Sequence, residues 1–265
     1  MIIRCREDPK SCLKAVLLSR LNRAEIAWES EPSQSLFDQV EISASREPWG
    51  RVLTRYEEVF GRVPWLHSEQ DLENLLSEIL FVFRFPARDN LPLVAQVIGQ
   101  TLDKGYAYVA NRASREAKAF RERAHQVGLA WHKSLGLMRF VRVEWDGEKV
   151  LIGKCPVPYR IADLAVWHFV HRFPDCTIIV VAPEGAAVVR DGEFRWEDPS
   201  PYEKFLTEDK FDSWWQAFYK SQYIPERRNR RLAMRGVPKK YWAWVTEGQA
   251  IDDPKVMKNW DKRDL

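Results

Sequence analysis

At 265 residues, with 45% apolar and 30% charged side chains, the chain can form one large domain or two small ones, and it is too apolar to be disordered. Its net charge of +3 makes any basic character regional, and the acidic balance sits elsewhere, as at 68–78. Four cysteines without CxxC or zinc-finger spacing read as reduced thiols; with no apolar signal core at the N-terminus and no eighteen-residue uncharged apolar window, neither a secretory leader nor a membrane span is expected, and a reduced, cytoplasmic protein is the expectation.

Met1 to Arg6 reads as a short strand. Asp8-Pro9 then opens a helix, Asp8 as cap and Pro9 at its first position, with Cys12, Leu13, Val16, Leu17 and Leu21 as the apolar stripe. Residues 29–35 are polar, hold Pro32 and predict a loop. Trp49, Val52, Leu53, Tyr56 and Phe60 recur at helical spacing until Gly61 and Pro64 stop them. Ser68 caps the next helix, with Asp71 at its third position and Leu72, Leu75, Leu76, Ile79 and Leu80 facing inward; Pro86 ends it. Two further helices are predicted at 91–103 and 106–127. The second carries Arg112, Arg115, Lys118, Arg121 and Arg123, either a solvated face or a second contact to phosphates.

The hydrophobic pattern changes after Gly128. Residues 137–144 and 149–155 read as strands around an Asp146-Gly147 turn, 161–171 as a helix, and Cys176 to Ala182 as a strand buried on both faces. A hairpin is expected around Asp191-Gly192, and helices follow at 202–206, 211–221 and 225–235, with a short turn from Pro238. The predicted fold is α+β. A single domain over 1–250 has a mostly helical half (7–128), a small sheet (137–196) and a basic, aromatic-rich helical cap (202–247), followed by a charged tail at 251–265. Most of the twelve tryptophans are expected in the core.

The densest chemistry lies in that cap. Between positions 220 and 240 stand eight basic residues, Lys220, Arg227, Arg228, Arg230, Arg231, Arg235, Lys239 and Lys240, opposed by Glu226 alone. The local charge is about +7 on ordinary side-chain pKa values. Tyr219 and Tyr223 lead in and Trp242 leads out. Arginine forks suit phosphate oxygens and flat rings suit unstacked bases, so the segment is read as a nucleic-acid contact, with Tyr219, Tyr223 or Trp242 as stacking platforms. The competing reading turns Arg227 and Asn229 inward to hold the cap on the domain.

Around this segment the spacing resembles the DUF4130 family: W-x-x-[FY]-Y-x-S at Trp215, Phe218, Tyr219 and Ser221, P-x-R-x-N at Pro225, Arg227 and Asn229, then P-x-x-Y-W at Pro238, Tyr241 and Trp242, and Glu247. Upstream, His132-Lys133 with Arg139-Phe140 resembles the family's H-K…R-F element, and His168-Phe169 with Arg172-Phe173 its H-F…R-F element. The strand, helix and Leu36-Phe37-Asp38 at the start also fit. One departure is Ile224, where many members carry Asn. The resemblance implies a role in DNA metabolism beside a radical SAM protein that repairs or modifies DNA. A similar domain occurs fused to uracil-DNA glycosylases. The resemblance carries over no catalytic mechanism, and so leaves the activity open.

The remaining candidates are catalytic. His132 is a general acid or base near neutral pH or a helix-end histidine bonded to a carbonyl; His168 is a polar site residue beside Arg172 or a structural histidine. With Arg139 and Arg172 these histidines form the candidate catalytic set. His168, His171 and Cys176 lack a second ligand pair at recognisable spacing, so no metal is expected, and no cofactor. Asp163, Glu184, Asp191 and Glu247 are possible acids with no pair marked, and Glu247 can instead bridge to Arg227. The chain has no G-x-S-x-G, P-loop or dinucleotide fingerprint, and no CxxxCxxC, so it is not itself the radical SAM enzyme. Three functions stay open: a DNA-binding accessory protein, an enzyme acting on damaged DNA as a nuclease or base-processing activity, and a protein-interaction scaffold.

Overall fold

A parallel β-α-β unit opens the chain in the computed structural model, which describes residues 1–32, 40–145, 147–207, 217–218, 221, 230–242 and 244–245. Strand β1 (Ile2–Cys5) leads into helix α1 (Pro9–Asn22) and returns as β2 (Glu25–Trp28). Asp8 accepts the Ser11 N–H and Pro9 starts α1, as its sequence requires. A third strand, β3 (Glu41–Ser43), pairs parallel on the other side of β1, giving the order β2-β1-β3. The buried Arg4 guanidinium reaches Trp28 O, Glu31 O and the Glu41 carboxylate, and so pins the chain on both sides of residues 33–39.

Around α1 pack α2 (Trp49–Phe60), α3 (Glu69–Arg84) and α4 (Asn90–Lys104), followed by α5 (Tyr106–Ala110) and the first part of α6 (Arg115–Leu137), with a 3₁₀ turn at Pro64–His67. Leu13, Leu17, Leu75, Ile79, Phe83, Ile98 and Phe120 fill the core between them. Arg20 ties three helices together, donating to Asp103, Gly99 O and Tyr56 Oη. One predicted helix, 106–127, is in fact two. Arg112 adopts a left-handed φ of 56°, and the Ser114 hydroxyl accepts the Ala117 N–H to start α6 afresh. Gly128 does not end that helix, which runs on to Leu137. The short strands β2 and β3 were not expected from sequence.

The chain divides into two units, Met1–Leu129 and Ala130–Leu265. The second is built on a five-stranded sheet of β4 (Phe140–Trp145), β5 (Glu148–Lys154), β6 (Thr177–Ala182), β7 (Gly185–Arg190) and β8 (Glu193–Glu197), in that order. Only β5 and β6 run parallel, joined by the crossover helix α7 (Ala162–Arg172). Every residue of β6 is buried, as its unbroken apolar run predicts. On one face Val150, Ile152, Ile179, Val181 and Val188 meet Tyr202, Phe205 and Leu206 of α8 (Ser200–Thr207). Helix α7 packs against β6 and β7. Beyond α8 the described residues include α9 (Arg230–Gly236) and a 3₁₀ turn, Lys239–Tyr241. The protein is thus a mixed helix and strand fold with its larger sheet in the middle of the chain. Among the described residues no helix is long and apolar enough to cross a membrane.

Candidate nucleic-acid interface

Three sequence elements far apart in the chain meet in the second unit. The first is the end of α6, which carries Trp131, His132 and Lys133. The second is α7 with His168, Phe169 and Arg172, and the third is the basic segment from α9 onward.

Aromatic contacts join the first two. The Trp131 and His168 rings meet edge to face with centroids 6.0 Å apart, and Phe140 meets Phe169 at 4.6 Å. Gly153 of β5 makes room for this packing: a Cβ there would lie 2.8 Å from Phe140 Cε1. The two phenylalanines of the H-K…R-F and H-F…R-F elements are therefore packing groups that hold α7 to the sheet.

A single lysine joins the third element to the first. Lys133 Nζ donates to Gly236 O at 2.7 Å, occupying a carbonyl that the end of α9 leaves without a partner inside the helix. Arg235, beside that carbonyl, is exposed, and so is Lys239 just beyond. The Trp242 indole donates to Val237 O at 2.8 Å and closes the following turn. Lys133 thus anchors the end of α9, and the sequence from 227 to 246 carries no acidic residue.

The candidate residues distribute as follows. His132 is exposed, inside α6 rather than just past its end, which removes the helix-end reading. Arg139 is half-buried immediately before β4. His168 is exposed and leans on Trp131 and Phe169, and Arg172 sits over the Phe173 ring at 5.7 Å. Trp242 is 3% exposed, so the expectation that it offers a ring face to an unstacked base is corrected: it is a packing residue. Arg230 and Arg231 stand in the first turn of α9. Tyr219, Tyr223, Arg227, Arg228 and Asn229 lie outside the described residues, as do the side chain of Lys240 and residues Trp215, Pro225 and Glu247. From the first motif, Ser221 Oγ donates to the Phe218 carbonyl at 2.7 Å.

The basic face of α6 in the first unit is partly committed to structure. Arg121 pairs with Glu78, and Arg123 holds Asp89 and Asn90. Arg112, Arg115 and Lys118 remain exposed.

A carboxyl arrangement that the sequence leaves unmarked appears at the carboxyl ends of the parallel strands. Glu184, in the β6–β7 turn, accepts the Ala162 N–H that begins α7, and it lies in the field of Asp163 and Arg160. Desolvation raises its pKa above the usual carboxylate value, against the lowering effect of the backbone hydrogen bonds. Cys155 follows β5 at the same end. Burial pushes its thiol up to about 12, which makes it an unreactive neutral group. Glu184 and Ala162 are far apart in sequence, and only the β5-α7-β6 crossover brings them together. The i, i+3 histidines hold no shared ligand set: His171 Nδ1 bonds Trp167 O at 2.7 Å, and among the described residues no three His, Cys, Asp or Glu side chains group around a metal position.

A family model described as a domain of unknown function, DUF4130, matches residues 88–247, which span all three converging elements. No curated protein and no solved structure matches the chain.

Proposed function

The chain belongs to the DUF4130 family, and from that premise we propose that it is a DNA-binding accessory protein of DNA repair or modification, working beside a radical SAM enzyme. The observation that carries the DNA part is the Lys133 clasp on α9. It fixes the end of α9 to the folded unit, with Arg235 and Lys239 exposed beside it. Such groups neutralise phosphates and release counterions, which gives affinity without a sequence code. The radical SAM partner rests on the family resemblance of the sequence, and the absence of a cluster-binding cysteine motif is consistent with a separate catalytic chain.

Binding of labelled single- and double-stranded DNA across a salt series tests this reading, with wild type beside Arg230→Ala/Arg231→Ala. Salt-dependent binding that the double substitution weakens is expected. No binding at low salt, together with co-purification of a protein partner, would replace it with a scaffold whose basic segment docks an acidic protein.

A second reading, an enzyme acting on damaged DNA, draws on the raised Glu184 carboxyl beside Asp163 at the carboxyl ends of β5 and β6. A carboxyl protonated closer to neutrality suits a general acid. Base release or strand cleavage by wild type that Glu184→Gln abolishes is the result this reading requires.

A further inference from the structure

Strand β8 closes the five-stranded sheet and, among the described residues, pairs with β7 alone. The Asp191-Gly192 turn between them has φ values of 50° and 77°, the two left-handed positions of a type I′ hairpin. In such a hairpin the flanking pair Arg190 and Glu193 exchanges both backbone hydrogen bonds. By alternation Arg195 and Glu197 also turn their N–H and C=O groups toward β7. Phe194 and Trp196 turn theirs outward, so the outer edge of β8 is a hydrogen-bonding template that no described strand occupies.

The side chains make this edge unlike the other one. Phe194 and Trp196 form an edge-to-face pair with centroids 5.6 Å apart, and Trp196 is 46% exposed. On the opposite face Glu193 and Arg195 pair along the strand at 2.6 Å, with side chains 69% and 70% exposed. Glu197 is already engaged, accepting from Tyr202 Oη. At the far edge of the sheet β4 presents no exposed large apolar residue, and its Trp145 packs on Tyr202 and Phe205.

We propose that β8 is a self-association edge, on which two copies of this chain pair antiparallel about a two-fold axis through Phe194. In that register the outward backbone groups of Phe194 meet those of its own counterpart. Glu193 faces the counterpart of Arg195, and Arg195 that of Glu193, at the closely spaced positions where cross-strand charges interact best. The two Phe194–Trp196 pairs merge into one four-ring cluster on the face opposite α8. An axis through Arg195 is excluded by charge, because it would set arginine against arginine and Glu193 against the counterpart of Glu197. A five-residue strand alone buries less than the roughly 1,200 Å² of a standard stable interface, so the dimer is weak and depends on concentration.

Sedimentation velocity of the full chain over a concentration series tests the register directly. Wild type is expected to rise from monomer toward dimer. Glu193→Arg and Arg195→Glu each place like charges opposite one another twice, and each weakens association about tenfold or more. An equimolar mixture of the two variants restores opposite charges across the pair and is expected to associate as wild type does. That recovery also shows that neither variant is merely misfolded. Wild type that stays monomeric throughout, single variants that dimerise as tightly as wild type, or a mixture that fails to associate would each overturn the proposal.

Discussion

A Cβ on Gly153 would meet Phe140 Cε1 at 2.8 Å and the Arg139 carbonyl at 3.2 Å, and neither neighbour can yield easily: one is a packed ring and the other is backbone. Gly153→Ala is therefore expected to cost about 1–3 kcal/mol, read as a lower midpoint in urea unfolding. The same crowding explains why Phe140 and Phe169 belong to motifs without being chemical groups. A second residue-scale prediction concerns Glu29. Its carboxylate accepts from Ser43 Oγ at 2.6 Å, Ser45 Oγ at 2.7 Å and Arg6 Nε at 3.0 Å. The two serine hydroxyls, and then Arg6, lower its pKa from 4.5 to about 2. A depressed folded-state pKa contributes stability that is complete above 4.5 and is lost as pH falls toward about 2. Glu29→Gln removes that contribution, so the variant's stability should change less than the wild type's between those limits. Identical slopes in pH-dependent unfolding would refute the assignment.

At the scale of elements, Lys133 decides how firmly the basic segment is held. Lys133→Ala leaves the Gly236 carbonyl to water and removes a charge-assisted contact at the surface, a loss of about 1 kcal/mol. Faster amide exchange across α9 and weaker DNA binding are expected together, and Lys133→Arg should recover part of both. Unchanged exchange in α9 would show that other contacts hold it. The elements also show where sequence reasoning runs out. Helices with a capping residue and recurrent apolar positions, such as α1 and α3, were legible, because their starts and much of their buried surface are encoded locally, although α1 is buried on every side from Ser11 to Leu18. The Asp191-Gly192 hairpin was legible for the same reason. Strands β2 and β3 were not, because each carries little apolar pattern and owes its pairing to β1. Gly128 misled because a glycine inside a helix need not end it: α6 runs through it uninterrupted, and an added Cβ would make only ordinary contact with Phe81 at 3.6 Å. The basic segment stood out by composition. The lysine that anchors it, the burial of Trp242 and the approach of Glu184 to α7 depend on long-range folding and left no local signal.

At the scale of the whole molecule, the proposed phosphate-binding charge is concentrated on one segment of the second unit while the net charge is only +3. Non-specific attraction by the entire protein would spread the effect of any lysine or arginine evenly. A localised interface concentrates it on the segment from Arg230 to Lys240. The most direct measurement is the slope of log affinity for DNA against log salt, for wild type and for Arg235→Ala/Lys239→Ala, two side chains exposed beside the Lys133 clasp. Each phosphate contact contributes about 0.7–0.9 to that slope, so losing two should reduce it by roughly 1.4–1.8. A slope that is flat in wild type, or unchanged in the double variant, would contradict the assignment of DNA to this segment.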